Sequence, residues 1–315
     1  MENQKGVRNN KLSAGALVLV SLAIVVGAAW ADMFQLQLKG GSKILTSVGL
    51  ITPTPTPLPE PTYDNLSAMV VPAEGYTVPI KWGDVGKKLI ESGAIDMDKY
   101  RENYSDAQYA ELLSYLTENK DKGITINKDN AYFWVNTLWA LGLVQNSDVL
   151  DKGIMGTEYR EDLGNFASTA GWTLGTKKAI DLYSSEKIVD LSPEEQALVA
   201  KISGGIYRPC CGNPTSFPDC NHGMAILGLV ELMVDQGFSE EEIYEASLAF
   251  NSYWFEQTYV DLAYFFQTEE GTLWTDVDAA KVLSAKYSSA PGYQEIKQQL
   301  GNVPGSKSSG SSCGA

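Results

Sequence analysis

YRPCCGNPTSFPDCNHGMAILGLVELMVDQG, residues 207–237, decides how this chain reads. Its second half, Met224 to Val234, is apolar on almost every side and is broken by Glu231. A surface helix keeps a polar half, so a helix that is apolar all round belongs at the centre of a domain. Gly237 supplies a left-handed C-terminal cap. Ahead of the helix Pro218 stops a loop and Asp219 is the expected N-cap, which puts Cys220 and His222 in the first turn. The stretch therefore predicts a central buried helix with a cysteine loop anchored at its start.

Helical signals continue on both sides. Asp84–Ile95 carries Val85, Leu89, Ile90 and Ile95 at helical spacing, and Met97–Tyr104 follows. Ser105-Asp106-Ala107-Gln108 reads as a capping box before Tyr109, Leu112, Leu113 and Leu116. Asp129–Leu143 is rich in buried-type residues, among them Phe133, Val135, Leu138 and Trp139. Ser192-Pro193-Glu194-Glu195 opens another helix with proline at its first position. Ser239-Glu240-Glu241-Glu242 opens one expected to run past Trp254 toward Phe266, and Asp276–Tyr287 and Gly292–Leu300 read as terminal helices. The aromatics from Tyr253 to Phe266 are core. No hairpin signal competes, so the fold class is all-α. Leu163–Lys178 is also helical in pattern but holds Gly164, Gly171 and Gly175; each costs about 1 kcal/mol in a helix, which points to close packing of another helix on that face.

The ends read differently. Lys5, Arg8 and Lys11 precede an apolar run from Leu12 to Ala31, long enough to cross a bilayer. The basic flank orients the remainder outward. Ala29-Trp30-Ala31 also fits a signal-peptidase site, so residues 1–31 are a signal anchor or a signal peptide. Residues 32–62 form a juxtamembrane segment ending in the proline alternation TPTPTPLPEPT, which enforces polyproline II. At about 3.1 Å per residue that spacer holds a domain roughly 30 Å off a membrane. The helical domain is expected over residues 63–302, and a flexible Gly/Ser-rich tail with Cys313 over 303–315. These features place the chain at the cell membrane with its domain extracytoplasmic, or secreted if cleaved after Ala31. The membrane is the expected partner, through the N-terminal helix.

At 315 residues, with 44% hydrophobic and 20% charged, the composition is that of a folded protein. A net charge of −15 argues against nucleic acid as a partner.

Chemistry concentrates in the opening stretch. Cys210, Cys211 and Cys220 are three of the four cysteines, and His222 is the only histidine. An exported cysteine usually ends in a disulfide. Here Cys210 and Cys211 are neighbours, whose mutual bond is strained, and one thiol is left over if the other pairs with Cys220. A second possibility is a metal: Cys210, Cys211, Cys220 and His222 make a Cys3His set suited to zinc and acceptable to copper(I), with Asp219 or Cys313 as substitute ligands. Third is thiol–disulfide chemistry at Cys220, where a helix N-terminus favours thiolate. The metal is the favoured expectation, Zn2+ ahead of Cu+, in a protein without catalysis; the thiol oxidoreductase and the disulfide-stapled surface module are its rivals. Hydrolase chemistry would need His222, and Cys220 and His222, two apart on a helix, point to different sides. Carboxylate pairs such as Glu158/Asp162 read as solvated faces.

The motif PCCGNPTSFPDCNHGMA resembles an uncharacterised family of exported, membrane-anchored bacterial proteins that carry a signal anchor, a low-complexity spacer and a helical domain with a PCC-x8-C-x-H-G motif. That resemblance covers roughly residues 150–265 and implies no particular activity. The run Gly237–Ile243 after a cysteine pair is similar to the membrane-anchored thiol reductases of cytochrome c maturation, although the pair here is adjacent instead of C-x-x-C.

Overall fold

A computed structural model describes residues 60–105 and 107–306. The apolar run, the start of the proline spacer and Cys313 lie outside the described residues.

The described chain is mostly helical. Its longer helices are α1 (Tyr63–Val70), α2 (Val85–Glu91), α3 (Met97–Asn103), α4 (Ala110–Thr117), α5 (Ala131–Val144), α6 (Pro193–Gly205), α7 (Asn221–Asp235), α8 (Glu240–Trp254), α9 (Glu256–Glu269) and α10 (Ala290–Leu300). Single helical turns fill several of the connections. Among the described residues no helix is long and apolar enough to cross a membrane.

The expected central helix is α7. Every residue from His222 to Val234 is buried. It lies against α5, in which Ala131 and all of Phe133–Val144 are buried. Glycine makes the crossing this close: a Cβ on Gly142 would strike the Met224 carbonyl, and one on Gly228 would come within 2.7 Å of the Leu138 carbonyl and the Gly142 nitrogen. The two backbones touch where side chains would otherwise hold them apart. Gly237 caps α7 at φ +75°, as its position predicts.

Capping chemistry fixes α6 and α8. Ser192 with Glu195, and Ser239 with Glu242, both form complete capping boxes. The helix from Ser239 does not run on to Phe266. It breaks at Phe255 (φ −133°, ψ 48°), and α9 starts at Glu256, whose carboxylate is held by Ser67 at 2.6 Å and Lys128 at 2.8 Å.

Three further expectations are corrected. Leu163–Lys178 is not a helix: it is a 3-10 segment (Arg160–Asn165), one turn (Ala167–Ala170) and a loop. Of its glycines, Gly175 serves close backbone approach, since a Cβ there would come within 2.9 Å of the Gly93 carbonyl, whereas Gly164 faces open space. Ser105 is not the N-cap of α4: a 3-10 turn, Ala107–Tyr109, precedes that helix and Tyr109 is its N-cap. The all-α expectation is incomplete at one place: β1 (Tyr76–Val78) pairs antiparallel with the distant β2 (Ile124–Ile126), Thr77 opposite Thr125. Ordered chain also extends past residue 302. Val303 is buried, and the Pro304 carbonyl accepts from the Tyr63 backbone N–H at 2.8 Å.

One core residue breaks the apolar pattern. Glu231 on α7 is fully buried, and among the described residues neither carboxylate oxygen has a well-formed hydrogen bond. Burial pushes its pKa well above the ordinary value, and the nearby Ser147 hydroxyl offsets that only in part. The unfolded carboxyl ionises near pH ~4.3, while the folded one keeps its proton to higher pH. The folded state therefore binds more protons, and stability falls as pH rises from the unfolded pKa toward the folded one. Glu231→Leu should remove this slope and stabilise the fold by about 1–3 kcal/mol at neutral pH. Melting curves from about pH 5 to about pH 8 check it; parallel curves for variant and wild type would contradict the assignment.

Candidate metal centre

The site is built on the loop between α6 and α7. Tyr207 and Pro214 form a single antiparallel bridge, and the Thr215 N–H closes the loop onto the Ile206 carbonyl at 2.7 Å. From outside, the Tyr207 N–H donates to the Leu283 carbonyl at 2.8 Å and the Ala290 N–H to the Cys211 carbonyl at 2.8 Å. The Ser168 N–H reaches the Asp219 carbonyl at 3.1 Å. A loop tied this way is part of the framework, although it has no regular structure of its own.

Within it the three cysteines converge. The sulfurs of Cys210, Cys211 and Cys220 all lie within 4.8 Å of one another. Cys210 Sγ lies 3.4 Å from Cys220 Sγ. All three are free thiols and half-buried, so solvent reaches the cluster.

Cys220, not Asp219, is the N-cap of α7. Its backbone is extended (φ −125°, ψ 166°) and its sulfur accepts from the Gly223 N–H at 3.4 Å. Asp219 is diverted because both its oxygens are committed: Oδ1 to the Arg208 guanidinium at 2.5 Å and Oδ2 to the Asn213 amide at 2.9 Å.

Arg208 is the residue that the sequence reading missed. Its side chain is 0% exposed, which for a guanidinium requires full pairing. It donates through Nε to Cys220 Sγ at 3.0 Å and to the carbonyls of Asn213 at 2.9 Å and Phe217 at 3.2 Å, besides Asp219. One side chain thus ties the loop, the cap and a thiol together. Gly223 makes room for it, since a Cβ there would collide with the guanidinium carbon. The only sequence signal was an arginine just before PCC and a glycine just after CNH.

His222 stands apart from the sulfur set. The group of mutually close ligand atoms found among the described residues is Cys210, Cys211 and Cys220, without the imidazole. The ring is buried against Phe255 at 4.5 Å and Trp254 at 5.5 Å between centroids. It still acts on Cys220, favouring the thiolate by hydrogen bonding.

The electrostatics place negative charge on Cys220. Hydrogen bonds from Cys210 and then Cys211, with the Arg208 charge and His222, hold its pKa well below the ordinary thiol value against burial. Cys210 is pushed up, because as donor it gives hydrogen bonds to Cys211 and Cys220, and burial adds to this. Cys211 is drawn down by Cys210, but its bond to Cys220 and burial prevail and raise it to about 11. A soft, charged sulfur flanked by two further thiols is a chelating arrangement for a thiophilic ion.

No protein-family model, no curated protein and no solved structure matches this chain.

Proposed function

We propose that this chain holds one thiophilic metal ion at Cys210, Cys211 and Cys220. The observation that carries this reading is the convergence of three sulfurs within 4.8 Å on a loop clamped by a buried arginine. Zinc and copper(I) are the ions that such thiolate donors take. Partial exposure of the cysteines suits an ion that is exchanged as well as one that is stored.

The thiol–disulfide reading has one observation in its favour, the 3.4 Å separation of Cys210 and Cys220. Thiol titration of the native and denatured protein separates the two. A metal centre gives thiols that react only after chelator or denaturant is added. A redox pair gives thiols that cycle with dithiothreitol without metal, and a structural disulfide gives almost none without reductant.

The domain would work outside the cytoplasm, carried by the basic-flanked run Leu12–Ala31 and set off by the proline spacer. Protease added to intact cells should remove the domain; intact chain in the cytosolic fraction would refute this placement.

A further inference from the structure

We propose that the ion is bound by three sulfurs alone, as a monovalent ion of the copper(I) class, with His222 outside the coordination shell as a positioning residue for Cys220. This rests on the metal-centre reading above and adds the ion's class and coordination number. Asp219, Arg208 and His222 are the side chains beside the sulfurs from which a fourth ligand would have to come.

Asp219 is the carboxylate in contact with the thiols, its Oδ1 3.7 Å from Cys211 Sγ. That oxygen is bound to Arg208 and its partner oxygen to Asn213. Turning it to a cation would strip a fully buried guanidinium of its counter-charge, which such a site resists. Arg208 carries only donors, so it can hydrogen-bond a ligating sulfur but cannot ligate.

His222 is withheld by geometry. It hydrogen-bonds Cys220, yet its ring nitrogens lie outside the group of ligand atoms that are all within 4.8 Å of one another. Its ring occupies a slot formed by Trp254 and Phe255, where α8 breaks and α9 begins. To come within reach of all three sulfurs at once it would have to shift out of that slot.

The remaining set is three soft sulfurs on one side of a clamped loop. Zinc seeks four donors in a tetrahedron and would have to complete its shell from solvent. Copper(I) is selected by soft thiolates and is satisfied by three of them. The Arg208 Nε–H on Cys220 Sγ offsets part of the negative charge of such a complex.

The test uses the full wild-type chain, Cys313 included, handled without oxygen. Copper(I) is titrated against bicinchoninate, zinc against a chromogenic zinc chelator, and the metal-loaded protein is examined by X-ray absorption. The expected result is one copper(I) per chain with three sulfur neighbours and no nitrogen. His222→Ala and His222→Gln should each cost about tenfold or less in copper affinity, the scale of an outer-shell partner. Cys220→Ser should cost far more. A nitrogen neighbour in the wild-type spectrum, or zinc held in a His222-dependent Cys3His shell, would overturn the inference while leaving the metal centre standing. Absence of binding by either ion would overturn the metal centre itself. The spectrum of the wild type decides the matter even if the His222 variants fold poorly.

Discussion

Replacing Asp219 with alanine is expected to remove about 3–5 kcal/mol of folding stability, because it strands a buried charge. Arg208 is 0% exposed and Asp219 is 21% exposed, so water cannot take over the role of the missing carboxylate. The damage should spread. Arg208 also holds the Asn213 and Phe217 carbonyls and the Cys220 sulfur, so a displaced guanidinium releases the loop and the start of α7 together. Denaturant unfolding in the presence of chelator isolates this effect from any metal. Arg208→Met combined with Asp219→Leu should recover part of the loss, since the pair is then removed without leaving a lone charge. A loss below about 1 kcal/mol for Asp219→Ala would place the pair with ordinary exposed ion pairs and contradict its role as the clamp.

The second large effect is expected at Cys220. Serine is itself a favoured N-cap, so Cys220→Ser keeps an acceptor for the Gly223 N–H while removing the sulfur. Helix capping and metal binding are thereby separated in one variant. Wild-type protein should lose stability when chelator strips its ion, by up to the order of 10 kcal/mol seen for structural zinc in peptides. The variant should melt at the same temperature with and without chelator. A wild type that is indifferent to chelator would contradict the account, as would a variant that still responds to it.

The residues that could be read directly were those whose role is local. Met224–Val234 shows its burial in its own composition, and Ser192, Ser239 and Gly237 carry their capping roles within three or four positions. The convergence of Cys210, Cys211 and Cys220 was foreshadowed by their spacing in so cysteine-poor a chain. What was not legible depends on distant partners. Nothing local marks Arg208 as buried, because its counter-charge is Asp219 and its space comes from Gly223. Asp219 looked like a cap because the competing guanidinium was not in view. The β1–β2 pair is three residues a side with three helices between, so no turn signal announces it. The glycines of Leu163–Lys178 suggested a helix face, yet Gly175 answers to the backbone at Gly93, far away in sequence. His222 shows the same limit: its nearness to the cysteines in sequence suggested a ligand, while Trp254 and Phe255 determine where its ring lies.

The central claim is that three cysteines form one metal centre, and native mass spectrometry of protein purified without chelator tests it most directly when paired with elemental analysis and alkylation. The account predicts one thiophilic ion per chain, with Cys210, Cys211 and Cys220 protected from alkylation until that ion is removed. A metal-free chain in which these thiols alkylate freely, or in which Cys210 and Cys220 are joined as a disulfide, would contradict it.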